Sequence, residues 1–234
     1  FIQPVITVLL YWFVFEFGLH QKVNDLRTGI EVPFVLWLMG GLVPWFYFQE
    51  ALNGGTGVLD EYSYLVKKVV FQIDALPVVK LISALFTHAF FVVFMLVVFA
   101  VMGFYPDLYV LQIVYYSFCM VILTAGLIYA TSAVTVFFRD MKEVVAILLQ
   151  IGMWVTPIMW NFESMQGIPK WAVLLLKLNP MYYIVSGYRD ALINKTAFWE
   201  YPGLTLWFWG ITLFTLWAGT TVFKRLRVHF ADVL

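Results

Sequence analysis

The chain alternates long apolar runs with short polar breaks, and the runs have membrane length. Apolar stretches near 1–19, 33–53, 80–105, 108–137, 144–161 and 204–223 approach or exceed the about 20 residues that a helix needs to cross a bilayer. Polar breaks separate them: Gln21 to Glu31, Asn53 to Asp74, Tyr105-Pro106-Asp107, Arg139 to Glu143, and Asn161 to Gly203. The pattern predicts an all-α membrane protein, six transmembrane helices in a single transmembrane domain over 1–234. Pro33, Pro106 and Pro202 sit at or beside predicted helix starts, where a missing backbone donor costs little. Pro44 and Pro157 fall inside predicted spans, where they are expected to kink the helix.

Two segments break the alternation. In the first, Leu59, Tyr62, Leu65, Val66, Val69, Val70 and Ile73 recur at helical spacing and are punctuated by Lys67, Lys68, Gln72 and Asp74. This predicts an amphipathic helix over about 59–77 at a membrane surface. Periodicity leaves open whether it only lies there or docks on a partner. In the second, the apolar run from Trp171 to Leu178 is too short to cross. It lies between Ile168-Pro169 and Asn179-Pro180-Met181, and Arg189 follows. The region 163–190 is therefore expected to dip into the membrane and return, or to lie on its surface. Irregular backbone at membrane depth is tolerated where it packs in protein or lines a water-filled cavity.

Composition agrees with a membrane solvent. The chain is 63% hydrophobic, 20% aromatic and 12% charged, whereas a soluble domain carries roughly 25% charged residues. The formal net charge is zero, so there is no electrostatic case for nucleic acid. A single cysteine, Cys119, excludes an internal disulfide and a cysteine metal cluster. Lys67, Lys68, Arg139, Lys142, Lys224, Arg225 and Arg227 gather near span ends on one side. Lys22, Arg27, Lys170, Lys177, Arg189 and Lys195 fall on the other, mostly in a longer segment. The denser set predicts the cytoplasmic side, with both termini there.

The order Arg139-Asp140, Pro157-Ile158, Ile168-Pro169, Asn179-Pro180-Met181, Arg189 resembles the membrane subunit of type-2 ABC transporters, and within that group the permeases that export polysaccharides and teichoic acids. Leu65-Val66-Lys67-Lys68 running to Phe71 and Leu76-Pro77 resembles the family's cytoplasmic segment between the second and third spans. The tail from Phe223-Lys224-Arg225-Leu226 to His229-Phe230-Ala231-Asp232 is similar to the family's C-terminus. The resemblance covers nearly the whole chain. It implies an amphipathic segment and the start of the first span ahead of Phe1. It also implies a bacterial inner-membrane protein that pairs with a second copy of itself and with two copies of an ATPase. There is no Gly-x-x-x-x-Gly-Lys loop here, so ATP and Mg are expected on the partner chain and no cofactor or metal on this one. Wall teichoic acid is the cargo expected first, O-antigen or capsular polysaccharide second.

On this resemblance the 59–77 segment becomes a coupling helix, with Lys67, Lys68 and Phe71 near the ATPase and Leu76-Pro77 closing it. Arg139 and Asp140 form a second coupling contact. Pro157, Pro169, Asn179, Pro180 and Arg189 are expected around a re-entrant gate. Aromatic faces can stack on sugar rings, which makes Tyr11, Trp12, Phe15, Trp37, Trp45, Trp154 and Trp160 candidates for a substrate pathway. An interfacial aromatic belt explains the same residues without one. Glu16 and His88 are ionisable groups set within predicted spans; Glu16, near the outer end of the first, can reach the interface, and His88 reads as a hydrogen-bonded packing residue or a functional one. Gly126 with Ala130 and Gly152 with Thr156 form small-xxx-small pairs suited to close helix contact. No catalytic constellation is legible. A type-2 permease for drugs or lipids, and an intramembrane lipid-modifying enzyme, remain the alternatives.

Overall fold

The computed structural model describes residues 2–18, 23–24, 31–66, 72–160 and 167–233. Helix α1 (Ile2–Trp12) runs on as a π-helical segment to Gly18. A short antiparallel pairing of β1 (Val23–Asn24) with β2 (Glu31–Val32) leads into α2 (Phe34–Thr56). Two brief helices follow, α3 (Val58–Glu61) and α4 (Ser63–Val66). Then come α5 (Ala75–Val101) and α6 (Gln112–Thr135), the latter entered through a 3-10 turn at Leu108–Leu111. The chain continues through α7 (Met141–Val155), α8 (Lys170–Leu178), α9 (Pro180–Arg189), α10 (Pro202–Leu226) and α11 (Phe230–Val233).

Three helices among the described residues are long and apolar enough to cross a membrane: Ala75–Val101, Leu108–Thr135 and Pro202–His229. They match the spans expected at 80–105, 108–137 and 204–223. The other three expected spans take different forms. The first is α1 with its π-helical extension. The second, α2, has the length to span, but Trp, Tyr, Gly and Pro dilute its hydropathy. It is the buried centre of the molecule, with 18 of its 23 residues buried, and α1, α5, α6, α7 and α9 pack around it. The third, α7, has 15 residues, a rise of about 22 Å against a hydrocarbon core of about 30 Å.

Proline chemistry explains where the helices stop. Pro157 does not kink a span, as the sequence suggested; it ends one. The residue before a proline is pushed out of the helical region, and Thr156 is extended at φ −78° and ψ 121°. Asn179 precedes Pro180 and is extended in the same way, at φ −66° and ψ 120°, which separates α8 from α9. Its side chain then caps the new helix, accepting from the Met181 N–H at 3.0 Å, with Pro180 in the first turn. Pro77 also sits in a first turn. Leu76 and Pro77 therefore open α5 rather than closing an amphipathic helix over 59–77. The described part of that predicted helix is two separate turns, α3 and α4, broken at Tyr62. Lys67, Lys68 and Phe71 lie outside the described residues.

Helices α2, α6 and α10 run one way, and α5 and α7 the other. Thr56 of α2 meets Thr131 of α6 at 2.9 Å. Tyr115 and Tyr129 of α6 meet Trp209 and Phe223 of α10 in the same order. Gly57 and Gly41 face Lys142 and Ile158, at the start and just past the end of the antiparallel α7. The α6–α10 crossing is the closest kind of helix contact. A Cβ on Gly126 would stand 2.7 Å from the Leu216 backbone nitrogen, and one on Gly219 would overlap the Gly126 carbonyl oxygen. The small pair Gly126 and Ala130 thus marks a helix interface, as the sequence predicted. Outward faces carry Phe86, Val93, Val114, Leu206, Phe214 and Trp217, side chains whose exposure costs nothing in lipid.

Candidate functional site

Arg189, the last residue of α9, fastens three parts of the chain. Its side chain is buried with 7% exposed. Nη1 donates to the Pro157 carbonyl and Nη2 to the Ile158 carbonyl, both at 2.8 Å. Nε donates to the Trp37 carbonyl at 3.3 Å, and the guanidinium lies 3.4 Å from the centroid of the Trp37 ring. A planar fork suits this task, because it bonds two neighbouring carbonyls while stacking on an aromatic face. Gly40 and Gly41 make the room. A Cβ on Gly41 would stand 2.9 Å from Nη2 and 3.1 Å from Ile158 Cγ2.

The same chain segment is held once more. Asn179 Nδ2 donates to Thr156 Oγ1 at 2.8 Å. The turn Thr156-Pro157-Ile158, all buried, is thus bound by Asn179 at one end of α9 and Arg189 at the other. The expected gate residues Pro157, Asn179, Pro180 and Arg189 come together here. Pro169 stands apart from them, exposed at the N-terminus of α8. Residues 163–166 of the expected re-entrant stretch lie outside the described residues. The helices that follow them, α8 and α9, have 9 and 10 residues and neither can cross a bilayer.

A second polar cluster forms around the preceding residue of α9, Tyr188. His88 Nε2 lies 2.9 Å from Tyr188 Oη and 3.3 Å from Ser117 Oγ, and the two hydroxyls are 2.6 Å apart. Tyr47 packs on the His88 ring at 5.2 Å between centroids. This places His88 in a hydrogen-bonded packing role joining α5, α6 and α9. Together with the Tyr115–Tyr183–Thr205 hydroxyl chain, it fixes α9 against the spans.

The charged side chains gather at the other end of α2. Lys142 pairs with Asp60 at 2.8 Å and Lys80 with Glu61 at 2.8 Å, and Arg227 pairs with Asp74. Below them a separate apolar cluster joins Val58 and Leu59 of α3 to Leu76, Ala133, Val136, Phe223 and Phe230. Arg139 and Asp140 are exposed in the turn that starts α7. At the opposite end Lys195 pairs with Asp107 at 3.0 Å. Among the described residues, Lys142 and Arg227 of one basic set and Arg189 and Lys195 of the other therefore lie at opposite ends of the helices.

The aromatic candidates divide by exposure. Trp37 and Trp45 are core residues, Trp37 under Arg189 and Trp45 over Gly152. Tyr11 and Trp12 are half-buried, and the side chain of Phe15 lies outside the described residues. Trp154 is 60% exposed, and Trp160 donates from Nε1 to its carbonyl at 3.0 Å across the Pro157 turn. A cavity of about 240 Å³ opens between α2, α6, α7 and α9, bordered by Trp45, Leu123, Leu149, Thr156 and Asn179. Sequence reading missed Gly40-Gly41, Thr156 as the partner of Asn179, and the Asp60–Lys142 pair. The adjacent glycines in an apolar helix were the available signal for the first.

The family model described as ABC-2 type transporter matches residues 1–193. The chain is 25% identical over 232 residues to the O-antigen export system permease protein RfbA of Myxococcus xanthus, covering 99% of this chain and 85% of that protein. It is 26% identical over 237 residues to the protein of the same name in Klebsiella pneumoniae, with coverage of 99% and 85%. It is also 26% identical over 227 residues to the polysialic acid transport protein KpsM of Escherichia coli, with coverage of 95% and 83%.

Proposed function

The chain belongs to the ABC-2 type transporter family, and we propose that it is the membrane subunit of an exporter that moves a lipid-linked bacterial polysaccharide across the inner membrane. The observation that carries this reading is similarity along 95–99% of the chain to permeases named for O-antigen export and polysialic acid transport. These cargoes are the O-antigen and capsule class expected second. The relatives give no support to wall teichoic acid, expected first. O-antigen is the leading cargo.

In this reading the end that carries Asp60, Lys142, Asp74 and Arg227 faces the cytoplasm with both termini, and a separate ATPase docks there. Two copies of this chain and two of the ATPase form the pathway. Helices α1, α2 and α7 complete six membrane-embedded segments, and α8 with α9 is the element that enters from the far side. ATP binding displaces the segment after α3 and the Arg139-Asp140 turn. Helix α7 carries the displacement to Pro157, where Asn179 and Arg189 hold the gate element. Trp154 and Trp160 present aromatic faces to the sugar chain.

The test is purification of the tagged chain from native membranes with an ATPase assay on the product. The expected result is a co-purifying ATP-binding subunit and an Arg139→Ala variant that assembles and hydrolyses ATP without export. A chain that purifies alone without ATPase activity, or an Arg139→Ala variant that exports at the wild-type rate, overturns the reading.

A further inference from the structure

The sequence presents the segment after α2 and the break before α7 as two separate cytoplasmic contacts. The structure joins them. Asp60 of α3 pairs with Lys142 of the first turn of α7 at 2.8 Å, with side chains 21% and 45% exposed. The Lys142 stem lies along the backbone at Gly57, where a Cβ would stand 3.1 Å from Cε and 3.5 Å from Nζ. Glycine at 57 thus lets the lysine lie flat and present its ammonium to Asp60.

Helix α3 is also held to the spans behind it. Val58 and Leu59 are buried at 0% and 1% in the apolar cluster with α5, α6 and α10. Glu61 pairs with Lys80 of α5 at 2.8 Å, and the Lys80 ammonium stands 5.6 Å from the Tyr62 ring centroid. Among the described residues, the polar link between α3 and the first turn of α7 is the lysine and its carboxylate. A partly exposed ion pair adds little to folding stability. Its position gives it a different use, because a displacement applied to either segment reaches the other through it.

We propose that Asp60 and Lys142 are positioning residues, a strut that makes the α3 segment and the Arg139–Glu143 turn move as one body when the ATPase acts. The proposal rests on the reading of this chain as an ATPase-driven exporter. It predicts that breaking the pair separates hydrolysis from transport, a ratio that a merely structural role would not change.

The experiment uses the full permease–ATPase complex in proteoliposomes, with lipid-linked polysaccharide extracted from the membranes of producing cells as the probe. Polymer moved per ATP hydrolysed is measured for wild type, Asp60→Lys, Lys142→Asp and the double reversal. Each single reversal that assembles should lower the ratio at least fivefold, whatever its absolute rate of hydrolysis. The double reversal, which restores opposite charges, should recover at least half of the loss. Single variants with an unchanged ratio, or a double variant no better than the singles, overturn the strut while leaving the exporter reading intact. A variant that fails to assemble is replaced by Asp60→Asn or Lys142→Gln, read by the same ratio. A wild-type complex without ATPase activity overturns the exporter reading and the strut with it.

Discussion

Replacing Arg189 with alanine should be a costly polar substitution. Two carbonyls, those of Pro157 and Ile158, each lose a donor at 2.8 Å. Both residues are buried, and Ile158 is 0% exposed. Leaving a buried acceptor unsatisfied costs about 1–3 kcal/mol. The cation over Trp37 at 3.4 Å contributes up to about 2 kcal/mol when desolvated. The 3.3 Å bond to the Trp37 carbonyl is long and adds little. Relaxation of the Pro157 turn and water entry return part of the loss, which leaves about 3–5 kcal/mol. For a chain of this length that is a fall in Tm of about 6–20 °C. Arg189→Lys should fall between the two, because one ammonium cannot bond both carbonyls in a plane and stack on the ring. The assay is thermal unfolding of the purified chain in nanodiscs, followed by intrinsic tryptophan fluorescence. A Tm for Arg189→Ala within 2 °C of wild type, or a lysine variant as unstable as the alanine one, refutes the clasp.

Two further outcomes follow from the geometry. Gly219→Ala drives a methyl into the Gly126 carbonyl of the facing helix, so the backbones must separate; the expected loss is about 1–3 kcal/mol or more, read as lower thermal stability of the chain in nanodiscs, whereas Gly203→Ala, with open space around its Cβ in the first turn of α10, should be neutral or slightly stabilising. Trp154→Ala removes an indole that is 60% exposed; stability should move by less than about 0.5 kcal/mol, while polymer binding by the assembled exporter weakens about 2- to 10-fold through the lost ring contact, and unchanged binding would remove Trp154 from the pathway.

The spans that face lipid were legible because lipid imposes one simple demand, an unbroken apolar helix of sufficient length. α5, α6 and α10 meet it and were found within a few residues. α2 was legible as a helix but not as the core, because its burial depends on neighbours that the pattern does not reveal. Pro157 was visible, yet a kink and a stop share one signal. What separates them is Thr156, freed from the helix to accept from Asn179, and that partner is 23 residues away. Pro77 shows the same ambiguity. A proline after an amphipathic run reads as its end, and here it sits in the first turn of the next helix. Among the aromatic candidates, composition could not distinguish Trp37 and Trp45, which are buried, from Trp154, which is exposed.

Helix α7 is tied at both ends, and this bears on how a motion could cross the molecule. Its first turn is held to α3 by the Lys142–Asp60 pair, and the chain just past its last turn is held to α9 by Asn179 and Arg189. Along its length it touches α2 through Gly152, where the Trp45 ring would stand 3.0 Å from a Cβ. Much of its remaining surface is exposed, including Ile147, Leu148, Ile151 and Trp154. A helix buried on one narrow stripe and anchored at its tips can shift as a rigid rod with little loss of packing, whereas α2, enclosed on all sides, cannot. The two anchors differ in strength as well. The partly exposed ion pair at the charged end adds little to folding stability, while the buried clasp at the other end is expensive to break. Displacement entering through α7 would therefore carry the Pro157 turn and α9 with it rather than tear them apart. On the proposed reading, that is how ATP-driven movement at one face becomes movement of the gate element about 22 Å away, the rise along α7.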